Sequence, residues 1–479
     1  MVPAMHAVAP HSLVDSISEI SLYHEADSKG FIAVCHIDPE SSKFTQKSVK
    51  IDDLFSYIAT IPEGTDLWVS QAEFGRPNRK MVNLTRIGVN FVDLDIYKSG
   101  AKNCSRSEIL RQIHAICADS GIPSPSWVNF SGQGYQAKWL LDAYLPRSAL
   151  VRWKLVQERL VEMFEPLGAD HGAKDASRIL RVVGSFNSKS GKICEVAWSK
   201  GQTLDTAASC NFETLAKALL EHERPKGKKP QKEDQHFELV SNKPRNAKVL
   251  RGYHTAQLAW ARLEDLRKLA TLRGGIKKGM RNTYLLIVAC QLALCGLVHP
   301  GNFRSEVKSL QREISNDPEW LSNTVLLGSL MARVKAHYAK QKIELDGGRQ
   351  VTPIYTYKTS SIISLLSITD DEQQQMKTLI SKDLATKRNT DRERENRRAK
   401  GAVERAEYLA NIADRKQQIR ALKASGLSVT EIAATLAIAR QTVYTALKEK
   451  APKKEKCPMS MATSIGEALP KGESEALKL

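Results

Sequence analysis

The sequence predicts an α+β protein with three structured parts. Up to residue 222, short β-forming runs such as Leu67-Trp68-Val69 alternate with amphipathic helical patterns such as Ser107 to Asp119. This alternation predicts a core with a mixed sheet and packed helices. From Gly252 to about Gln341 the apolar spacing is helical throughout, which predicts an all-helical part. Residues 428–447 have the spacing of two short helices joined by a tight turn, and a preceding helix completes a three-helix unit.

Shifts in composition separate these parts. Glu223 to Lys248 is basic, polar and proline-containing, which is typical of a flexible linker. A second polar stretch lies around Leu345 to Thr359, and the residues from Ala451 onward are expected to be disordered. The predicted segments are a core at 15–222, a basic linker at 223–250, a helical domain at 251–345, a linker at 346–390, a three-helix domain at 391–450 and a disordered tail at 451–479.

The chain is strongly basic. Its 479 residues include 71 lysines and arginines against 53 acidic residues, a net charge of +18, which favours nucleic acid as a partner over an anionic membrane. The eight cysteines form no Cys-x-x-Cys pair, which argues against a zinc site and a disulfide framework. No signal peptide is visible, and the longest apolar run, Tyr284 to Val298, is too short to span a bilayer. We therefore expect a soluble cytoplasmic protein without a membrane partner.

Two aspartates end the most apolar predicted strand. Ile87 to Val92 is rich in β-forming residues and is followed directly by Asp93-Leu94-Asp95. Residues two apart on a strand point to the same face, so the two carboxylates are expected to project together. Like charges this close repel unless a proton or a cation lies between them, and carboxylate oxygens suit Mg²⁺ or Mn²⁺. The pair is a candidate metal site, and the alternative is a solvated strand end.

Two later segments bring further polar groups to strand ends. Residues 127–140 have the pattern of a strand, a glycine-containing turn and a second strand, and the turn offers the Ser131 hydroxyl and backbone N–H groups to a phosphate. Residues 168–189 contain a third carboxylate, Asp170, and several basic residues before another strand. Arginine suits phosphate because its planar guanidinium pairs with two oxygens at once.

The C-terminal pattern assigns a role to most of its positions. Ser428 and Glu431 form a predicted capping box that starts the first short helix. The predicted buried positions are Ile432, Ala433, Leu436, Ile438, Val443 and Leu447. The positions expected to face outward, toward bases or phosphates, are Arg440, Gln441, Thr442, Tyr444, Thr445 and Lys448. The segment resembles the helix-turn-helix DNA-binding domain of resolvase- and invertase-type recombinases, which implies binding of double-stranded DNA. The alternative is a small bundle for protein contacts.

Taken together, the three N-terminal segments resemble the motifs of the archaeo-eukaryotic primase superfamily, most closely the small replication primases of plasmids and mobile elements. The family's paired acid is matched by Asp93 and Asp95, and its serine-containing turn by residues 131–136. Its third motif, an acid ahead of an arginine-rich Gly-x-x-Asn-x-Lys segment, is matched by residues 170–189. The resemblance covers roughly residues 15–222. It implies metal-dependent primer synthesis on a single-stranded DNA template from nucleoside triphosphates.

The resemblance also implies roles for individual residues. Asp93, Asp95 and Asp170 match the ligands of the catalytic Mg²⁺ or Mn²⁺, and Asp175 competes with Asp170 for the third position. The residues implied to grip triphosphate or template phosphates are Ser131, Gln136, Arg178, Arg181 and Lys189. Many members of the family have a histidine where this chain has Gln136, and the plasmid branch tolerates the glutamine.

The helical domain has a motif of its own. Gly279-Met280-Arg281-Asn282 resembles the opening of the PriCT-like domain that often follows such primase cores, and there Asn282 would cap an apolar helix beginning near Thr283. Arg281 and Lys277-Lys278 are either a nucleic-acid contact or a solvated helix end.

Other families share single features of the chain. Haloacid-dehalogenase phosphatases use Asp-x-Asp after a strand, but they need Thr or Val where Tyr97 stands. Glycosyltransferases with Asp-x-Asp lack the arginine-rich third segment. The sequence therefore predicts a plasmid or mobile-element replication protein with primase activity and origin-type duplex binding, with a replicative helicase as a candidate partner. The alternative is a non-catalytic initiator or regulator with a degenerate primase fold.

Overall fold

The computed structural model describes residues 13–24, 28–38, 40–62, 64–201, 203–204, 206–221, 246–322, 325–345 and 348–448. The chain divides into two compact units, Met1–Leu384 and Ala385–Leu479. The predicted tail at 451–479 and most of the predicted linker at 223–250 lie outside the described residues.

A nine-stranded sheet forms the N-terminal part of the first unit. The strands in chain order, including the small separate hairpin β9–β10, are β1 (Phe31–Ile37), β2 (Phe44–Lys50), β3 (Leu67–Ser70), β4 (Ala72–Phe74), β5 (Leu84–Leu94), β6 (Trp127–Phe130), β7 (Tyr135–Pro146), β8 (Ile179–Arg181), β9 (Phe186–Asn187), β10 (Lys192–Ile193) and β11 (Glu195–Ser199). Within the sheet the strands run in the order β11-β6-β7-β5-β4-β1-β3-β8, and β2 pairs with β1. The predicted α+β class is confirmed. The pairings between the described strands of this sheet are antiparallel, so the sheet is not mixed in direction.

Helices pack against the sheet through apolar and polar contacts. They are α1 (Leu13–Tyr23), α2 (Leu54–Ile58), α3 (Arg106–Asp119), α4 (Leu150–Met163) and α5 (Phe212–Glu221). The side chain of Gln157, on α4, is fully buried, and its Oε1 accepts the backbone N–H of Phe91 on β5 at 3.2 Å. Trp153, one turn earlier on α4, donates its indole N–H to the carbonyl of Val89 at 3.1 Å. These bonds fix the position of α4 along β5, the strand that carries the paired aspartates.

A fully buried ion pair joins α1 to the middle of the sheet. Glu19 on α1 and Lys138 on β7 have side chains with no exposed area, and their charged groups are hydrogen-bonded. Glu19 also accepts a hydrogen bond from Asn129 Nδ2 at 2.8 Å and one from the backbone N–H of Val183 at 2.8 Å. Because isolated charges are strongly disfavoured in the interior, the buried ion pair is stable only if each oxygen of the Glu19 carboxylate accepts hydrogen bonds. One carboxylate thus joins α1, β6, β7 and the segment after β8.

The second half of the first unit is mainly helical. Its elements are α6 (Asn246–Leu272), α7 (Arg281–Leu294), α8 (Pro300–Ile314), α9 (Pro318–Ser322), α10 (Val325–Tyr338), β12 (Ile343–Leu345), β13 (Arg349–Val351), α11 (Thr359–Leu365) and α12 (Asp370–Gln374). α7 is almost wholly buried, as its apolar sequence predicts. The predicted cap is wrong, because α7 begins at Arg281 and Asn282 Oδ1 instead accepts the indole N–H of Trp320 at 2.8 Å. Within the described residues no helix is long and apolar enough to cross a membrane.

Buried charged groups attach the helical half to the sheet. Glu306 on α8 accepts the backbone N–H groups of Met81 and Val82, each at 3.0 Å. The carbonyl of Val82 in turn accepts from Arg147 at 2.6 Å and from Arg267 on α6 at 2.7 Å. The sequence predicts separate core and helical domains, but these contacts join both into one compact unit.

The predicted linker at 346–390 needs correction, because much of it is folded. Its apolar side chains Ile354, Ile362, Leu366 and Leu379 are buried. Asp265 on α6 accepts the backbone N–H groups of Lys377 and Leu379, each at 2.9 Å. Arg273 pairs with both oxygens of Glu372, at 2.6 and 2.7 Å. The segment is held by partners about 100 residues earlier in the chain, which its polar composition does not reveal.

The second unit contains a compact group of three helices. Its helices are α14 (Arg405–Ala424), α15 (Val429–Thr435) and α16 (Arg440–Lys448), preceded by α13 (Lys382–Ala399), which begins at the end of the first unit. The predicted capping box is present at the start of α15, with the Ser428 and Glu431 side chains each bonded to the other's backbone N–H. Ile419, Ile432 and Val443 are buried at the centre of the three helices.

The buried ion pair gives a prediction about stability. Replacing Lys138 by Met leaves the carboxylate of Glu19 buried without its cation, so the free energy of unfolding should fall by about 3–5 kcal/mol. Urea denaturation followed by tryptophan fluorescence measures this, because all seven tryptophans lie in the first unit. The control is Arg159→Ala, which removes the exposed partner of Glu162 and should change stability by less than about 0.5 kcal/mol. Equal effects from the two variants would contradict a stabilising role for the buried pair.

Candidate active site

The first and third predicted motifs meet at the end of β5. Asp93 is the penultimate residue of that strand, and Asp95 comes directly after its last residue. The segment beginning at Gly168 pairs with this strand end. The backbone N–H of Asp95 donates to the carbonyl of Gly168 at 2.8 Å, and that of Asp170 donates to the carbonyl of Asp93 at 2.8 Å. Asp170 is thereby held beside Asp93, although 77 residues separate them in sequence.

The serine-containing turn lies against the same strand end. Gln136 on β7 is the cross-strand partner of Asp93, so the two side chains project from the same face of the sheet. Gly134 permits the close approach, because a Cβ at this position would lie 2.3 Å from the carbonyl oxygen of Leu94. Ser131 closes its own turn, with its hydroxyl accepting the backbone N–H of Gly134 at 3.3 Å. All three motifs therefore converge around Asp93.

The environment of Asp93 disfavours its charge. Burial is the main reason that its pKa is raised to about 6, and the carboxylates of Asp95 and Asp170 raise it further, while Arg178 and Lys138 lower it. A carboxyl group with a raised pKa near other carboxylates is common at functional sites. A divalent cation placed among these groups would favour the ionised form of Asp93 and relieve the repulsion between the carboxylates.

The other two carboxylates are held by basic side chains. Lys98 Nζ lies 2.6 Å from Asp95 Oδ2, and Arg178 Nη2 lies 2.9 Å from Asp170 Oδ2. Asp170 Oδ1 also accepts the backbone N–H of Gly172 at 2.8 Å. In the part of the chain that the structure describes, no three carboxylate, histidine or cysteine side chains are arranged around a common metal position. The backbone brings the predicted ligands together, whereas the side chains of Asp95 and Asp170 point to their cations.

An unpaired oxygen lies next to Asp93. Gln136 is only 3% exposed, and its Oε1 has no hydrogen-bond partner among the described residues. A water molecule or an ion is one way in which such a buried polar atom is satisfied. Together with the carboxylates, this amide oxygen forms a set of hard oxygen donors, which fits Mg²⁺ or Mn²⁺ in its chemistry. Asp95 and Asp170 would have to exchange their cationic partners to complete such a site.

The predicted phosphate-binding residues fall into two groups. Arg178 is half-buried beside Asp170, and Lys189 is exposed in the turn between β9 and β10. Arg181 is different, because it is buried, pairs with Asp66 at 2.7 Å and stacks over the ring of Trp68 at 4.6 Å. Its charge is already satisfied within the fold, so the structure does not support the predicted phosphate contact for Arg181.

Two residues near the site correct or extend the sequence prediction. Lys138 was not predicted, because a lysine within an alternating strand usually faces solvent, yet its buried charge acts on Asp93. Asp175, the alternative third ligand, accepts the hydroxyl of Ser177 at 2.6 Å, and its carbonyl accepts the backbone N–H of Arg178 at 3.2 Å. It therefore shapes the turn that carries Arg178.

The second unit presents its predicted polar face to solvent. Val443 and Ala446 on α16 are buried, which orients the helix. The six predicted contact residues, all exposed, are Arg440, Gln441, Thr442, Tyr444, Thr445 and Lys448. Thr445 donates its hydroxyl to the carbonyl of Gln441 at 2.8 Å, which leaves its methyl group available for apolar contact.

Comparison with known proteins gives one relative of substantial coverage. The chain is 29% identical over 358 residues to a replication protein of Clostridium perfringens, a match that spans 74% of this chain and 77% of that protein. No protein-family model matches the chain. The resemblance to replication proteins that the motifs predict is confirmed by this relative.

Similar solved structures include two primase domains, both with low scores. The archaeo-eukaryotic primase domain of the cyanophage S-2L primase-polymerase is 15% identical, with a TM-score of 0.32, over 43% of this chain and 98% of that domain. The catalytic domain of primase RepB′, in complex with initiator DNA, is 15% identical, with a TM-score of 0.28, over 44% of this chain and 96% of that domain.

The raised pKa of Asp93 predicts how stability depends on pH. In the unfolded chain this carboxyl should ionise near pH 4 and in the folded chain near pH 6, so ionisation destabilises the wild type as pH rises between these values. Asp93→Asn removes that effect. The free energy of unfolding of Asp93→Asn minus that of wild type should therefore be roughly 1–3 kcal/mol larger at pH 7.5 than at pH 4.

Urea denaturation at both pH values, without divalent cations, tests this prediction. The control is Asp52→Asn, which changes an exposed carboxylate on the surface of the same unit. If the free energies of unfolding of wild type and Asp93→Asn differ by the same amount at pH 4 and at pH 7.5, ionisation of Asp93 does not destabilise the folded state and the prediction is wrong.

Proposed function

We propose that the protein is a replication primase of the plasmid or mobile-element type, which synthesises or extends primers on single-stranded DNA. The observation that carries the proposal is the backbone pairing of Asp93 with Asp170, which unites the three acidic positions of the predicted motifs. The similarity to a replication protein over 74% of the chain supports it. In this proposal the protein acts in the cytoplasm, and its substrates are nucleoside triphosphates and a DNA template.

Asp93, Asp95 and Asp170 are the proposed ligands of Mg²⁺ or Mn²⁺. Bound divalent cations lower the pKa of the attacking hydroxyl group and neutralise the triphosphate. Asp93 must be ionised to serve as a ligand, and its raised pKa means that a cation competes with a proton for it below about pH 6. Asp95 and Asp170 bind a metal only by leaving Lys98 and Arg178, which frees both basic groups.

The proposed phosphate contacts surround these carboxylates. Arg178 is next to Asp170, and a guanidinium that leaves this carboxylate can pair with two oxygens of a triphosphate. Ser131 and Gln136 provide a hydroxyl and an amide on the turn and strand opposite Asp93. Lys189 is the exposed cation of the adjoining hairpin. Arg181 is left out because Asp66 holds it in the interior.

A duplex-binding function is proposed for the second unit. The exposed face of α16 carries two cations, Arg440 and Lys448, with amide, hydroxyl and aromatic groups between them. Such groups on the second helix of a helix-turn-helix contact bases and phosphates in the major groove. Binding of this kind would bring the first unit to an origin, where a replicative helicase is a candidate partner.

The alternative function is a non-catalytic initiator that uses the first unit only to bind DNA. The observation that favours it is the pairing of Asp95 with Lys98 and of Asp170 with Arg178, which satisfies these carboxylates without a metal. An initiator of this kind would bind DNA but make no primer.

Primer synthesis separates the two proposals. With Mn²⁺ or Mg²⁺, labelled nucleotides and a single-stranded template, wild type should give product, whereas Asp93→Ala and Asp170→Ala should each lose at least about a hundredfold in rate because the metal loses a ligand. Asp175→Asn should retain most of the activity if that residue only shapes the turn. The matched control is Asp119→Asn, an exposed carboxylate at the end of α3. No product from wild type, with DNA binding retained, would favour the initiator.

Duplex binding tests the second unit. Arg440→Ala and Gln441→Ala should each weaken binding to the cognate origin duplex by about 1–3 kcal/mol if each side chain reads a base. Electrophoretic mobility shift with specific and scrambled duplexes measures the effect. Arg415→Ala removes an exposed cation from α14 and is the control for charge alone. Unchanged discrimination between the two duplexes in all three variants would argue for the protein-contact alternative.

A further inference from the structure

A group of basic and apolar side chains lies beside the serine-containing turn. Phe130 is the last residue of β6, directly before Ser131. The guanidinium carbon of Arg106 lies 5.3 Å from the centre of the Phe130 ring, and Lys192 Nζ lies 5.5 Å from it. We call these three residues, Arg106, Phe130 and Lys192, the edge patch.

The edge patch is fixed to the candidate active site by the β9–β10 hairpin. Asn187 on β9 donates its side-chain N–H to the carbonyl of Ser131 at 2.6 Å. A Cβ at Gly132, where φ is +97°, would lie 2.9 Å from the same amide nitrogen, so hairpin and turn are in direct contact. β10 carries Lys192 and Ile193, and the turn of the hairpin carries Lys189. A strand bound across the edge patch would therefore pass next to Ser131.

The chemistry of the edge patch fits a single strand better than a duplex. A duplex presents mainly its phosphate backbone at the surface, and cations alone are sufficient to bind phosphates. An unstacked strand also exposes base faces, which pack on aromatic and apolar side chains while cations contact the phosphates. The half-buried ring of Phe130 lies beside Arg106 and Lys192, so the patch presents an aromatic face and cations together. The ring of Phe130 attracts both cations to this position.

We propose that the edge patch binds the single-stranded DNA template as it enters the candidate active site. This inference rests on the proposed primase function and adds the binding surface for its template. Lys192 and Arg106 contact phosphates, and the ring of Phe130 provides the surface on which a base packs. Arg106 also pairs with Glu195, which fixes its guanidinium at the edge of the sheet.

The test is binding of the full chain to a fluorescein-labelled 20-nucleotide oligo-dT, measured by fluorescence anisotropy at several salt concentrations. Oligo-dT forms no duplex for the second unit to read. Phe130→Leu should weaken binding at least about fivefold because it removes a ring worth on the order of one stacked base. Lys192→Ala should weaken binding and reduce the salt slope of log K by about 0.7 because one phosphate contact is lost.

Matched controls share the chemistry but lie elsewhere in the first unit. Tyr355→Leu removes a 45% exposed ring that has the guanidinium of Arg333 at 4.7 Å, and Lys217→Ala removes an exposed lysine on α5. Tryptophan fluorescence during urea denaturation identifies variants that are misfolded. If Phe130→Leu and Lys192→Ala bind as wild type does, or no more weakly than the controls, the proposal is wrong.

Primer synthesis by wild type is measured separately, so the two proposals can fail independently. Weakened oligo-dT binding in the two variants supports the edge patch even if wild type makes no primer, in which case only the primase proposal is lost. If wild type makes primers normally and both variants bind oligo-dT as wild type does, the template-binding proposal is wrong and the primase proposal stands.

Discussion

The buried pair of Glu19 and Lys138 is the interaction on which the arrangement of the first unit depends. Two opposite charges without solvent contact are tolerated only when nearly every donor and acceptor has a partner in good geometry. Glu19 meets this condition with Lys138, the side chain of Asn129 and the backbone of Val183. These partners belong to β6, to β7 and to the part of the third motif that follows β8. A shift in the register of β7 would separate the two buried charges, and a shift of β6 or of the segment after β8 would remove a hydrogen bond from the carboxylate.

This constraint reaches the candidate active site through the backbone. Val183 follows β8, so the bond to Glu19 anchors the second half of the third motif, while the bond from Asp170 to Asp93 anchors its start. Glycines permit the close contacts between these segments. At Gly168, where φ is +79°, a Cβ would lie 2.7 Å from the carbonyl of Asp95, a distance that real side chains do not reach. The carboxylates are therefore brought together by backbone pairing that only small residues allow.

Local signals in the sequence predict local structure well. The apolar run before Asp93 forms β5, and Ser428 with Glu431 forms the capping box of α15, because each depends on residues a few positions apart. Contacts over long separations are not encoded in such patterns. The pairing of Arg181 with Asp66, and the folding of residues 377–379 onto Asp265, both join residues more than 100 positions apart. From the local sequence alone, a polar or basic residue is predicted to face solvent or to bind a ligand. In these cases its partner is instead a distant residue of the same fold.

The charges of the candidate active site bear on how the proposed phosphate-binding site can contain three carboxylates. Asp95 and Asp170 are each neutralised by one basic group, and burial raises the pKa of Asp93 to about 6. With these pairs formed, the site has little excess charge of either sign. A divalent cation shared by the carboxylates would release Lys98 and Arg178, and the released groups would then add positive charge beside the metal. A triphosphate brings the negative charge that balances this excess. In the proposed primase function, the same ion pairs that satisfy the carboxylates without a metal would supply the basic groups for a phosphate substrate once a metal is bound.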